Sequence, residues 1–516
     1  MKQLFRRASA AALAVSVGVG ALGAFGALQA AQAQDKVLRV AHYGFNPQKG
    51  RFEMAFGAQS TLPLMSFADS MTFLNTDGTV DPGLATSWEV KNDTTWVFKI
   101  RQGVKFHNGE PMTAEQIVKN VEFLVNDDAG KTSISSRFLG LAGAKKIDAN
   151  TVEITTKKPN PILDRWFALL RIMDADYQKD VGIEGFTIKP VGTGPFKVTS
   201  WTGESMKAER FADAWRPAKV DRLEITALTE TAARVAALQS GQVDIAWLLS
   251  PDDIAGLDAA GKKVNVTQNF EVVSFKFNTI PDRTTADNSP ILDRRVRRAI
   301  NYAINRDQYV EEVLGGLYVT AGQSAASTVA GHQDDIKPYP YDPEQAKKLL
   351  AEAGYADGLD LVMELIPTST DYTNTSQFVA TSLQRVGINL ELRQIALADL
   401  LGKLRGQKPW DGHMWMGLVE SFPTGDVMRP FATDSCAFFG AFICDQAIQP
   451  TIDAANVEFD PAKRAELVRD VVKHYHEEAL ISYMYERTVI DGLGANVQNY
   501  RLFNRAVNWH EIELGG

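Results

Sequence analysis

Strand-like and helix-like runs alternate along this chain from Val37 to its C-terminal region, and few architectures accept that alternation. Val37-Leu38-Arg39-Val40-Ala41 reads as a strand, and Thr94 to Ile100 alternates Trp96, Phe98 and Ile100 as a half-buried strand does. A helix to about Val125 follows, with Thr113 and Gln116 at capping-box spacing. Further strands are expected at Thr151–Thr155, Phe196–Ser200, Val243–Trp247 and Asn389–Arg393. Helices are expected at Thr231–Ser240, stopped by Gly241, and at Asp293–Asn305, with Val296, Ile300 and Ile304 on one face. Another runs from Pro343 to Ala353 behind the N-cap Asp342, one covers about Ser376–Val386, and a last one runs from Pro461 to about Glu478. Gly192 and Gly194 permit a turn that most side chains forbid, and Pro195 fixes its exit. The expected class is α/β with mixed sheets, without internal repeats.

The N-terminus carries a different signal. Lys2, Arg6 and Arg7 form a basic head before an apolar Ala/Gly/Val/Leu run that ends in Ala31-Gln32-Ala33, the small-x-small pattern of a cleaved leader. Residues 1–33 are therefore expected to be removed on export to the periplasm, and with no cysteine near the cleavage point no lipid anchor is expected. Hydrophobic residues make up 45% of the chain and the formal charge is −9, more acidic still without that head. An acidic chain with no basic, aromatic-laced patch is not expected to bind nucleic acid. The only cysteines, Cys436 and Cys444, lie close together; export into an oxidising compartment predicts a disulfide between them.

No signature of an enzyme is present. There is no Gly-x-Ser-x-Gly elbow, His-Glu-x-x-His helix or phosphate loop. His474 and His476 lie on an expected helix at i, i+2, which sets their side chains about 160° apart and unsuited to sharing a metal. No catalytic residue, cofactor or metal ligand is expected.

Five blocks in order resemble one family, the peptide- and nickel-type solute-binding proteins of ABC importers. They are Leu84-Ala85-Thr86-Ser87-Trp88 with Phe98 to Gly109; Pro190-Val191-Gly192-Thr193-Gly194-Pro195-Phe196; Leu238-Gln239-Ser240-Gly241-Gln242-Val243-Asp244-Ile245; Val296 to Ala303; and Tyr341 to Gly354. The resemblance implies a two-lobed periplasmic-binding-protein fold. One lobe would use residues 34–273 and 489–516, with a small subdomain inserted at about 75–190; the other would span 274–488. Two strands would cross between them, near Val272–Asn278 and Tyr485–Gly492, and act as a hinge. It also implies a monomer that delivers a peptide or peptide-like small molecule to a membrane permease. The alternatives are a metal chelate or haem as cargo, or a ligand sensor on the same fold.

Dipeptide-binding members of that family grip the peptide ends with an Arg for the carboxylate and an acid for the amine. The resemblance puts Thr370 where that Arg would stand and Glu420 near the acid, with Asp426 as fallback. Phe45, Trp247, Tyr372, Trp410 and Trp415 complete the candidate ligand-binding set, since aromatics give broad, stiff contact. The cysteine pair after Phe431-Ala432-Thr433-Asp434 resembles the dipeptide branch. With Thr in place of Arg, the ligand is expected to carry an amine and not to depend on a free carboxylate.

Overall fold

The computed structural model describes residues 35–515, apart from 46–50, 53–57, 76–77, 134, 136–138, 282–286, 288, 367–369 and 504–505, and apart from the side chains of 58–60, 269, 370 and 371. The expected leader, 1–33, lies outside the described residues.

Val37–His42 is buried except at Arg39, as a parallel strand covered on both faces should be. It pairs in parallel with Arg222–Ala227, Val37 opposite Arg222. The two belong to an 11-stranded mixed sheet. Its path runs from Ile388–Gln394 through Leu359–Leu365, Met414–Glu420, Lys263–Phe277, Ile481–Leu493, Ile245–Ala246, Val37–His42, Arg222–Ala227 and Ser205–Arg210 to Phe196–Trp201. A separate four-stranded antiparallel sheet, Ala85–Asn92, Thr95–Ile100, Thr151–Thr156 and Leu141–Asp148, packs beneath the helix Ala114–Asn126.

Apolar side chains collect into separate cores. One joins Leu38, Phe67, Phe98, Ile225 and Trp247 to Val489 and Trp509 near the C-terminus. Two others join Val273, Ile300, Leu361 and Met414, and Phe270, Trp410, Phe431 and Tyr475. The molecule is thus two-lobed, and the antiparallel strands Lys263–Phe277 and Ile481–Leu493 run through both halves, from Lys263 opposite Leu493 to Lys276 opposite Ile481. Their register shifts between Gln268 and Val272, which face Thr488 and Glu486. Three residues of one strand thus oppose Arg487 alone, an irregularity that bends the ladder. At that point the fully buried Glu271 accepts a charge-assisted hydrogen bond from Arg487 Nη1 at 2.8 Å.

Gly192 and Gly194 are needed for a different reason from the one the turn suggested. A Cβ on Gly192 would lie 2.2 Å from the Phe67 carbonyl oxygen, and one on Gly194 2.6 Å from the Phe67 carbonyl carbon. The chain passes so close because the Gly194 and Phe196 amides donate to the Phe67 and Ser66 carbonyls. His107, from the first block, clamps the same turn: its Nδ1 accepts from the Gly192 amide at 3.3 Å and its Nε2 donates to the Gly194 carbonyl at 3.1 Å. Burial holds this imidazole down at about 4, so it is neutral and supplies one acceptor and one donor.

Local expectations meet mixed outcomes. Asp342 and Asp460 cap Pro343–Glu352 and Pro461–Glu477 through their carboxylates. Thr113 does not cap with its side chain: the Gln116 amide donates to the Thr113 carbonyl at 3.0 Å, and the Gln116 side chain, the other half of a capping box, is drawn away to Asp176 Oδ2 (2.8 Å) and the Ala175 amide (3.2 Å). The helix expected to reach Asn305 ends at Tyr302, since Asn305 instead caps Arg306–Glu312 by accepting from the Gln308 amide. His474 and His476 face different partners, the Asp445 carboxylate and the Gly322 carbonyl.

Cys436 and Cys444 form the expected disulfide. The loop is also held without it: two residues ahead, Asp434 and Lys276 make a buried ion pair at 2.7 Å, and Thr279 Oγ1 bonds both the amide and the carbonyl of Cys444. Two outcomes follow. Alkylation of unreduced protein should label neither thiol, and Cys436→Ser should cost no more than about 2.5 kcal/mol by the loop-closure relation; labelling of both thiols would refute the bond. Glu271→Gln leaves the half-buried Arg487 guanidinium without its carboxylate and should lower stability by roughly 2 kcal/mol or more in urea titration, with an unchanged denaturant slope. A loss under about 1 kcal/mol, the range of an exposed pair, would contradict a buried bridge.

Candidate functional site

The crossing strands form one wall of a cavity of about 800 Å³. Val266, Thr267 and Gln268 line it from the strand, Leu317 and Thr328 from the second half, and Asp69, Phe73, Arg216 and Trp509 from the first. The halves also touch directly: Arg165 Nη1 donates to the Thr424 carbonyl at 3.1 Å. Gly425, at φ +56°, lets Leu74 and Phe270 close in, where a Cβ would meet their side chains at 2.8 and 2.6 Å.

The cavity's polar groups are ordered. The Asp69 carboxylate is 2% exposed and accepts from Thr193 Oγ1 (3.0 Å), Trp215 Nε1 (2.8 Å) and Arg216 Nη2 (2.5 Å). Arg216 lies over the rings of Phe73 and Trp215, at 4.3 and 4.4 Å, so its fork is held flat against aromatic faces. Nearby His510 is pushed down to about 4, first by burial and then by Arg216, and stays neutral.

A smaller cavity of about 70 Å³ adjoins the large one, sharing Met65, Phe73, Leu74 and Phe503 in its walls. Thr61 and Arg171 line it from the first half and Phe422 and Pro423 from the second. Arg171 is 5% exposed, and its Nε and Nη1 are buried without a hydrogen-bond partner, as is Thr61 Oγ1. At the bulge in the crossing strands, Arg487 feels the Tyr372 and Tyr43 hydroxyls as well as Glu271. Burial alone would lower its affinity for the proton, but these groups outweigh it and raise it.

The residues singled out from sequence are dispersed. Trp247 is fully buried and donates from Nε1 to the Tyr500 hydroxyl (2.8 Å), which donates on to Asp491 (2.8 Å) in a crossing strand. Phe45 is half-buried, stacked on His42 at 5.6 Å and edge-on to Trp201 at 5.8 Å. Trp410 is buried against Phe442 and Trp415, at 4.6 and 5.4 Å. Trp415 and Glu420 do come together, with Lys276 and Arg429, around a recess of about 160 Å³ that shares no lining residue with the large cavity. Asp426 is buried and already engaged, bidentate to Arg464 at 2.8 and 2.9 Å and accepting from the Met428 amide. Tyr372 stands near Arg487, while Thr370 opens the helix Thr370–Gln384 and its side chain lies outside the described residues.

Arg171, Arg216 and Arg487 had not been singled out. An arginine in sequence is by default a surface residue. Only Arg171 carried a signal, as a lone cation inside the apolar run Phe167-Ala168-Leu169-Leu170-Arg171-Ile172-Met173. Among the described residues, no group of three or more His, Cys, Asp or Glu is placed to hold a metal ion.

Comparison with known proteins places this arrangement. A model of the bacterial extracellular solute-binding proteins, family 5 (middle region), matches residues 79–437. The dipeptide-binding protein of Escherichia coli K12 is 27% identical over 89% of this chain and 90% of its own length. The Brucella suis protein NikA, solved in complex with Fe(III)-EDTA, superposes with a TM-score of 0.81 at 23% identity, covering 93% of this chain and 100% of that one. DppA from Helicobacter pylori, solved with the peptide STSA, gives a TM-score of 0.76 at 20% identity over 93% and 98%. The chain belongs to family 5 of the bacterial extracellular solute-binding proteins.

Proposed function

We propose that this protein is the extracytoplasmic capture component of an ABC importer, closing its two lobes on a peptide or peptide-like solute and passing it unaltered to a membrane permease. The observation that carries the reading is the cavity of about 800 Å³ walled by both halves and by the strands that join them. That volume falls in the range of small-molecule sites, roughly 300–1,000 Å³. Its lining suits a polar, partly apolar solute: aromatic Phe73 and Trp509 beside Arg216, Asp69 and Gln268. A peptide offers that mixture of backbone polar groups and apolar side chains, and the kinship with a dipeptide-binding protein supports the choice. A metal chelate is the second reading, favoured by the likeness to a protein solved with Fe(III)-EDTA, because a carboxylate-rich chelate would also meet arginines.

Capture without turnover is directly measurable. Protein purified without denaturation should release a small molecule on heating. The stripped protein should then melt higher when that extract or a matching peptide pool is returned, by about 2.7 kcal/mol of added stability at a hundredfold excess over Kd. The recovered ligand should be chemically unchanged. Turnover of the added pool, or no released molecule and no melting shift with peptides or chelates, would refute the reading.

A further inference from the structure

We propose that Arg165 is the latch of the closed molecule. Its guanidinium, carried by the first half, donates to the Thr424 carbonyl of the second and so sets how long any solute is retained, without touching that solute. The proposal rests on the capture function above and names the positioning residue on which retention depends.

The contact is built from both sides. Arg165 stands on the short helix Leu163–Trp166, whose Leu163 is fully buried in the core of the first half. Thr72 Oγ1 donates to the Asp164 carbonyl at 2.6 Å, and the Asp164 carboxylate accepts from the Arg165 amide at 2.8 Å. The helix is thus tied down at its base while the half-buried Arg165 side chain reaches across, its Nη1 3.1 Å from the Thr424 oxygen. Thr424 is fully buried, in a turn closed by the Gly425 amide on the Ser421 carbonyl at 2.8 Å. That turn is braced from behind: the Ala330 amide donates to the Gly425 carbonyl at 3.2 Å, and Asp426 is held bidentate by Arg464. Two closer approaches flank the bond. A Cβ on Gly425 would meet the Leu74 side chain at 2.8 Å, and a Cβ on Gly78 would stand 3.3 Å from the Ala330 Cβ. Leu74, Gly78 and Arg165 of the first half therefore all meet one platform of the second, made of Thr424, Gly425 and Ala330.

Within that platform the Arg165 bond is special because its loss is felt in one state alone. With the halves apart, water satisfies both the Thr424 carbonyl and the guanidinium. With the halves together the carbonyl is shut off from solvent, and among the described residues Arg165 is the donor it has. A buried carbonyl without a donor carries its full desolvation cost, whereas an exposed one carries none. Removing the Arg165 donors therefore penalises the closed state and leaves the open state as it was. Apparent affinity falls with the fraction of molecules that can close. Arg165 is not among the residues lining the large cavity, the small chamber or the recess at Glu420. The loss should accordingly be the same factor for every solute, where a residue in contact with ligand would change the preference among solutes.

The test compares wild type with Arg165→Met, which keeps the length and removes the donors, and with Arg165→Lys, which keeps a charge without the fork. Calorimetry and stopped-flow dissociation use the ligand recovered from native preparations and a di- and tripeptide library. A second readout needs no ligand: Gly78→Cys combined with Ala330→Cys, in the wild-type and Arg165→Met backgrounds, followed by the rate of disulfide trapping under a mild oxidant. Those two positions are within bridging distance only when the halves are together, and the native cysteines are already paired. Arg165→Met should release every bound solute about tenfold faster or more, with the ranking of solutes unchanged. Unliganded Arg165→Met should melt as wild type does, its trapping should slow, and Arg165→Lys should fall between. A changed ranking would make Arg165 a ligand contact, overturning the latch and leaving capture standing. Unchanged dissociation, unchanged trapping, or no trapping in either background would each overturn the latch. If wild type binds none of the probes, capture falls and trapping alone decides: slower trapping in Arg165→Met supports the latch, and equal rates overturn it.

Discussion

The antiparallel pairing of Lys263–Phe277 with Ile481–Leu493 is the constraint on which the rest of this molecule depends. One ladder serves both halves, so the sheet is continuous while the apolar cores are not. Core packing resists deformation, whereas a ladder with a register shift can take up angular change in a few residues. The shift lies between Gln268 and Val272, and the Glu271–Arg487 bridge occupies it. An ion pair there, with its carboxylate fully buried, does what a hydrophobic pair could not: it fixes one register through a directional contact.

From that pairing the cavity's chemistry follows. The crossing strands supply a wall of modest side chains, Val266, Thr267 and Gln268, and the polar groups with strong preferences are presented by the rigid first half. Asp69 and Arg216 pair with one another and Arg216 lies on aromatic rings, so the two charges are compensated, although Arg216 Nε is buried without a hydrogen-bond partner among the described residues. Arg171 differs in that, among the described residues, no carboxylate pairs with it and its buried Nε and Nη1 have no hydrogen-bond partner.

Much of the scaffold was legible because it is written locally. Asp342 and Asp460 stand directly before prolines at helix starts, and cap geometry needs nothing from elsewhere in the chain. Gly192 and Gly194 were legible as indispensable, though the cause is the backbone at Phe67, distant in sequence and invisible to a local reading. The capping box at Thr113 failed to form its Gln116 half because that side chain found Asp176 and Ala175, a competition that only the folded chain sets up. The candidate ligand residues were least legible. Trp247 and Trp410 have the bulk of a cleft aromatic, but also of a core residue, and the fold uses them as core. Asp426 has the charge of an amine grip and is spent on Arg464. Arg171 carried one local signal, a lone cation inside an apolar run, but its missing partner is a feature of the folded chain that the sequence does not record.

The central claim is that the two halves close about the crossing strands on a ligand held between them. Small-angle scattering on stripped protein, before and after saturation with the ligand recovered from native preparations, tests it most directly. The account predicts a radius of gyration that falls on ligand addition, to a profile matching the structure described here, in which Arg165 reaches Thr424 and Leu74 approaches Gly425. A profile unchanged at saturation would contradict it and leave a rigid site with no closing motion.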